Sequence, residues 1–178
     1  PVKNLPRLVR AALSIVGTRL VIVGEGPERA AIVATATAMG AADRLVLPGF
    51  MPEPHCYIGS LDIFALSSDS EQYPISLVEA MAAGLPVAAT DVGDVRAILP
   101  EAQRRFVVPC DEHALAAALR QLVADAALRR TLGEANQALA QRDYDAAVMI
   151  GRYAELYASV IGDKGAQFLR AALYRDDE

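Results

Sequence analysis

Along the chain, short apolar runs alternate with stretches whose apolar residues recur at helical spacing. Asn4 to Val16 places Leu5, Leu8, Val9, Ala12, Leu13 and Val16 on one helical face. "RLVIVG" (19–24) is a β-branched run closed by glycine, the form of a buried strand. A helix from Glu28 to Met39 follows, then a strand at "RLVLPG" (44–49), a short helix or turn in "PEPHCYIGSL", and a strand at "DIFALS" (62–67). The next helix is expected over 75–83; Gly84 suits the position after its cap and Pro86 blocks continuation. "VAAT" (87–90) and "RFVVP" (105–109) read as strands, and from Asp111 onward the pattern is helical: Asp111 to Ala124, Ala126 to Ala140 and Tyr144 to Ile161. "DKGAQFLRAALYRDDE" reads as one more amphipathic helix with a charged tail. Continuous apolar strands alternating with helices predict an α/β, doubly wound domain, a parallel sheet covered on both faces. No internal repeat or low-complexity linker interrupts the pattern, so one domain is expected over 1–161, with a C-terminal helix and tail over 162–178.

Composition narrows the class of function. At 178 residues with 53% hydrophobic and 22% charged residues, the chain can bury a core and is not disordered. A net charge of −5 and no basic stripe argue against a nucleic-acid partner. No apolar run approaches the ~20 residues a membrane span needs. Cys56 and Cys110 lie far apart without metal-ligand spacing, which predicts reduced thiols in a cytosolic protein. The chain opens on Pro1 and enters a helical pattern at once, which reads as a piece of something longer.

One stretch carries chemistry: "EQYPISLVEAMAAGLPV", residues 71–87. Its helix is apolar on every side except for Glu79, and a helix apolar all round is normally buried, where a lone carboxylate needs a partner. The helix starts after "DIFALS", at the carboxyl edge of the sheet where ligands of open α/β folds bind. Pro74 fits the first helical position, and Tyr73 cannot cap as Ser, Thr, Asp or Asn would. The N–H groups of Ile75, Ser76 and Leu77 then face outward as an anion site of the phosphate-binding kind, unless Asp69 or Ser70 folds back to cap them. Glu71 before the helix and Glu79 within it would repel a phosphate unless they face hydroxyls. A carboxylate accepts O–H donors readily, so a ribose diol on one side of a diphosphate and a sugar on the other would use both acids. That combination is a nucleotide-sugar.

The stretch "EQYPISLVEAMAAGLPVAATDVG" strongly resembles the C-terminal-domain signature of glycosyltransferase family four, retaining enzymes of the GT-B fold. The signature is an acid, seven residues, a second acid, then Ala-Met-Ala, a small residue, Gly, any residue, Pro and Val; Glu71 and Glu79 have that spacing. "KNLPRLVRA" from Lys3, "LVIVGEGPER", "LVLPGF" and "RYAELY" follow in the order the family has, so the resemblance reaches about residue 161. It implies a Rossmann-like donor-binding domain, the C-terminal half of a GT-B fold, that takes a UDP- or GDP-linked sugar and needs no metal or other cofactor. It implies that Glu79 holds the ribose hydroxyls, that Glu71 contacts the donor sugar at the reacting end, and that the amides of Ile75, Ser76 and Leu77, beside Tyr73, meet the diphosphate. Lys3 would neutralise the departing phosphates, and the backbone at Phe50 and Met51 would border the base. Glu71 and Lys3 are thus the implied catalytic residues. The acceptor, a carbohydrate or a lipid-linked one, would be bound by an N-terminal domain, in a cytoplasmic or membrane-peripheral protein.

The chain departs from that family in four respects. Gln72 stands where Gly is usual. The strand that carries the family's Arg partner of Lys3 is absent, and because it lies mid-sheet between "RLVIVG" and "DIFALS", its absence leaves a gap open to self-association or to a strand from elsewhere. The N-terminal Rossmann domain is absent as well, so the fragment is expected to bind donor weakly and not turn over. Two other classes stay in view: a non-catalytic nucleotide-sugar binding or interaction module, and a sugar-nucleotide epimerase on the same scaffold.

Other signals have plainer readings. "GEGPER" (24–29) has Arg29 in place of the third glycine of a dinucleotide loop and Pro27 within it, and reads as a tight turn. "DYD" (143–145) opens a helix, where acids cap and favour the positive end of the dipole, rather than holding a metal. His55 and His113 read as surface histidines isolated from other ligand types, and "DVGDVR" (91–96) as a turn with Asp94 starting a short helix.

Overall fold

A computed structural model describes residues 2–161. Eight helices and five strands alternate as the pattern predicts among the described residues. Helix α1 (Leu5–Leu13) leads to β1 (Leu20–Val23), α2 (Arg29–Ala38) and, after a 3-10 turn, β2 (Leu45–Gly49). Then come α3 (His55–Ile58), β3 (Phe64–Leu66), α4 (Ile75–Ala82), β4 (Val87–Thr90), α5 (Val95–Ile98) and β5 (Val107–Val108). Helices α6 (Glu112–Ala124), α7 (Ala126–Asp143) and α8 (Ala146–Ile161) complete the order. The last segment of the sequence pattern, 162–178, lies outside the described residues.

All strand pairs are parallel, as continuous apolar strands joined by helices require. They form two sheets, β1-β2 and β3-β4-β5. Leu20 pairs with Leu45 in the first, and Phe64 with Val87 and Ala89 with Val107 in the second. No hydrogen-bonded strand among the described residues joins β1 to β3, the place where the sequence resemblance left a gap. One core nevertheless serves both sheets: Leu8, Val9 and Leu13 of α1, Ile32 of α2 and Leu115, Leu119 and Leu122 of α6 pack with Leu20 of β1 and Ala88 of β4. Burying each such leucine or isoleucine contributes about 1.5–3 kcal/mol.

The chain divides into two compact units, and the first, through Ala138, contains both sheets. In the second unit Asp145 accepts the N–H of Ala147 at 2.8 Å just before α8, the capping expected of "DYD", whereas Asp143 ends α7 and pairs with Arg142 at 2.7 Å and Arg152 at 3.7 Å.

Three local expectations change. The strand at 105–109 contracts to Val107–Val108, because Glu101–Phe106 winds into a 3-10 helix that buries Phe106 and Gln103. Pro74 is not the first helical residue but the cap: its ψ of 103° is extended, and Leu77 N–H closes onto its carbonyl at 3.0 Å. Helix α4 is not buried on every side either. Leu77, Ala80 and Met81 are fully buried, whereas Ile75 is 69% exposed.

Candidate functional site

The start of the chain folds onto the loop that leaves β3. Asp69 N–H donates to the Val2 carbonyl at 2.8 Å, and Ser67 Oγ donates to the Lys3 carbonyl at 2.8 Å. Asn4, in a left-handed conformation, caps α1 and gives Asp69 a side-chain hydrogen bond, and Arg7 pairs with Asp69 at 2.7 Å while donating to the Ser67 carbonyl. Asp69 is therefore committed to α1 and does not cap α4. Burial raises its pKa, and the bonds from Arg7 and Asn4 outweigh that and hold it below the usual carboxylate value.

This latch brings Lys3 to Glu71, 68 residues later: Lys3 Nζ donates to Glu71 Oε1 at 2.6 Å. Ser68 Oγ donates to the same oxygen, also at 2.6 Å. Burial works against the Glu71 charge, yet the bonds from Lys3 and Ser68 and the lysine's charge leave its pKa lowered. Ser68 and Thr90 are fully buried, and Thr90 Oγ1 donates to the Ser68 carbonyl at 2.6 Å. "DVGDVR" is the turn it was expected to be, with Asp94 just before α5, and it presses on the acid loop: Asp94 N–H donates to the Gln72 carbonyl at 2.9 Å.

Glu79 differs from Glu71. It is half-buried on α4, and among the described residues its carboxylate has no hydrogen-bond or ion-pair partner. The N-terminal end of α4 has no side-chain cap. Leu77 N–H is taken by Pro74, while the N–H groups of Ile75 and Ser76 donate to nothing among the described residues. The Leu77 side chain is core, so that residue offers the site backbone only. Tyr73 is partly exposed beside this end, its phenol pKa raised by burial and then by Asp94.

Phe50 and Met51 follow β2, at the carboxyl end of the other sheet, Phe50 exposed and Met51 half-buried; no hydrogen bond or ion pair joins them to either acid. Lys3 also borders a cavity of about 210 Å³ along Ile22–Gly24, which Glu71, Glu79, Phe50 and Met51 do not line. "GEGPER" forms the turn at its mouth, with Gly24 at φ 116° and Glu25 paired to Arg29. His55 is not isolated: its ring, Cys56 Sγ and a Glu53 oxygen lie within 4.8 Å of one another at the exposed start of α3.

Sequence reasoning missed Ser68, Thr90, Arg7 and Asn4. Ser68 in "LSSD" and Thr90 in "VAAT" stand at strand carboxyl ends, where small hydroxyl residues are too common to single out, and nothing local marks Asn4 or Arg7 as partners of Asp69.

Residues 1–139 match the profile of the family described as glycosyl transferases group 1. The chain belongs to that family. Lipopolysaccharide core biosynthesis glycosyltransferase LpsE of Rhizobium meliloti is 26% identical over 158 residues, covering 88% of this chain and 46% of that relative. Among solved structures, Anabaena HepE in complex with UDP superposes with a TM-score of 0.83 at 23% identity, over 90% of this chain and 46% of HepE. The C-terminal domain of LpcC from Francisella tularensis, also a group 1 protein, superposes with a TM-score of 0.73 at 22% identity, over 82% of this chain and 81% of that domain. At these identities the two structures establish the fold, an α/β Rossmann-like arrangement of parallel sheets. The group 1 chain spans less than half the length of LpsE. No helix among the described residues is long and apolar enough to cross a membrane.

Proposed function

We propose that this group 1 domain binds the donor of a retaining glycosyl transfer, a UDP- or GDP-linked sugar, at the edge formed by the acid loop and the start of α4. The observation that carries the reading is Glu79. A half-buried carboxylate without a partner among the described residues, on a helix whose first two amides donate to nothing there, leaves acceptors and donors open to a ligand. Ribose hydroxyls on Glu79 and diphosphate oxygens on the Ile75 and Ser76 amides would satisfy both deficits at once. HepE, which shares the fold, binds UDP, and this supports the nucleotide as ligand.

In the reaction, the bond between the anomeric carbon and the diphosphate oxygen breaks, and the glycosyl group bonds to an acceptor hydroxyl oxygen, whose proton leaves with the nucleoside diphosphate. Lys3, paired with Glu71, turns to the departing phosphate and stabilises its growing charge. Glu71, ionised at neutral pH, accepts from a sugar hydroxyl. The base lies against the Phe50–Met51 backbone. No metal is needed for this scheme, because the lysine and helix end supply the positive potential.

The acceptor site, for a carbohydrate or a lipid-linked molecule, comes from outside these residues, as does the strand between β1 and β3 with its arginine. β1 and β3 each keep an edge without a strand partner among the described residues, and Val21 and Val23 are 36% and 41% exposed; such edges invite an added strand or a second copy. The domain alone binds donor weakly and does not turn over, and the whole protein works in the cytoplasm or at its membrane surface. The test is calorimetric titration with UDP, GDP and ADP beside Glu79→Ala. Binding of one nucleotide that the variant loses is the expected result, and binding that the variant retains would remove the ribose assignment.

A further inference from the structure

Glu71 is held by one oxygen. Oε1 accepts Lys3 and Ser68, each at 2.6 Å, and Oε2 accepts nothing among the described residues. The two donors differ in kind. The Lys3 side chain is 54% exposed, and a flexible ammonium turns toward any anion that arrives. Ser68 is fully buried, and the fully buried Thr90 on β4 grips its carbonyl at 2.6 Å. When Lys3 is drawn to a phosphate, the serine is the donor that keeps the carboxylate in place.

The backbone of the acid is fixed from the same side. Gly93 has φ 51°, and a Cβ there would lie 2.3 Å from the Glu71 carbonyl oxygen and 2.7 Å from that of Gln72. No side chain fits, and the Asp94 N–H bond to Gln72 draws the loop onto the turn. The turn itself is anchored: Asp91 N–H donates to the Val108 carbonyl at 2.7 Å, and Arg96 bridges Asp91 to the Val107 carbonyl.

From this geometry we propose that Ser68 is a positioning residue that, backed by Thr90 and the Gly93 turn, pins Oε1 of Glu71, so that the acid offers Oε2 to a single sugar hydroxyl rather than spanning a vicinal pair. The inference rests on the donor reading above. A carboxylate free at both oxygens can bridge two adjacent hydroxyls; one whose first oxygen faces a buried serine reads one position of the sugar.

Two measurements on the 178-residue chain test it. Carbon-detected NMR follows the Glu71 carboxyl through a pH titration in wild type, Ser68→Ala, Ser68→Cys and Ser68→Thr. The groups facing this carboxylate are Lys3 and Ser68; the Gly93 turn presents backbone to the acid loop. The midpoint is expected to rise in Ser68→Ala and, to a lesser degree, in the shape-conserving Ser68→Cys, and to return toward wild type in Ser68→Thr. A serine that only fills space would leave the midpoint unmoved, and that result overturns the proposal. Calorimetry then compares UDP with UDP-glucose and its monodeoxy analogues. Ser68→Ala is expected to weaken UDP-glucose about tenfold, the worth of one charged hydrogen bond, and to leave UDP unchanged. In wild type one deoxy analogue should show that same loss. Losses at two adjacent positions contradict the single-hydroxyl assignment. A chain that binds neither UDP nor UDP-glucose overturns that assignment together with the donor reading, whereas UDP binding kept by Glu79→Ala removes the ribose contact and leaves the Glu71 titration to judge Ser68.

Discussion

The two ends of α4, a helix of eight residues, are built to opposite rules. At the C-terminal end almost every polar group is used. Gly84 N–H donates to the Met81 carbonyl at 2.9 Å and Leu85 N–H to Ala80 at 3.0 Å, with Gly84 at φ 75° as the left-handed stop. From α7, Asn136 Nδ2 takes the Leu85 carbonyl at 2.7 Å and Gln137 the Ala82 carbonyl at 3.0 Å. Asn136 Oδ1 is the exception, the one buried side-chain nitrogen or oxygen without a hydrogen-bond partner among the described residues. At the N-terminal end there is no side-chain cap and two amides donate to nothing among the described residues, and midway along the helix Glu79 has no partner there either. Water satisfies exposed amides at an uncapped helix start, so the open end stays available to a ligand at little cost to the fold. The saturated end fixes where the helix sits, and the unsaturated end is what it holds out.

The comparison breaks most severely at Gly133. A Cβ there would stand 2.0 Å from the Gly84 carbonyl oxygen, a clash with backbone that cannot be relieved by a rotamer change. Gly133→Ala should cost about 3 kcal/mol or more, read as a lowered urea midpoint with an unchanged m-value. Asn136→Ala comes next. It leaves the Leu85 carbonyl buried without its donor, at about 1–3 kcal/mol on the same measurement.

The order of these costs was partly legible in the chain. Gly84 followed by Pro86 announced the helix stop, and the eight-residue spacing of Glu71 and Glu79 announced the acids, because both signals are local. Their supports were not. Lys3 reaches Glu71 across 68 residues, Asn136 reaches Leu85 across 51, and Gly93 and Gly133 matter through the backbone they touch. No periodicity encodes such contacts. The position of Pro74 was misjudged for a related reason: a fixed φ suits both the cap and the first helical residue, and only ψ separates them. The strand pattern, by contrast, announced all five strands, and the family resemblance put the gap between β1 and β3, where the two sheets divide.

Smaller effects sharpen the contrast at the site end. Removing the Ser68 hydroxyl should lower stability in a pH-dependent way. The folded-state pKa of Glu71 is depressed, so its contacts stabilise the fold above the unfolded-state pKa, and that contribution is lost as pH falls through the folded-state value. Urea midpoints of wild type and Ser68→Ala should therefore differ at neutral pH and converge in acid. Lys3→Ala should cost less than about 1 kcal/mol, because the lysine is exposed and its pairing is screened. Smallest of all is Glu79→Ala, within about 0.5 kcal/mol of wild type, since no internal partner is lost.

That last substitution holds the central claim, and thermal unfolding of wild type and Glu79→Ala, each with and without UDP, tests it most directly. The account predicts equal transitions without nucleotide. With UDP about tenfold above Kd, wild type should gain about 1.4 kcal/mol, and the variant at the same UDP concentration should gain little. A variant already destabilised without nucleotide, yet raised by UDP as much as wild type, would make Glu79 a structural acid and contradict the reading of α4 as a donor-binding helix.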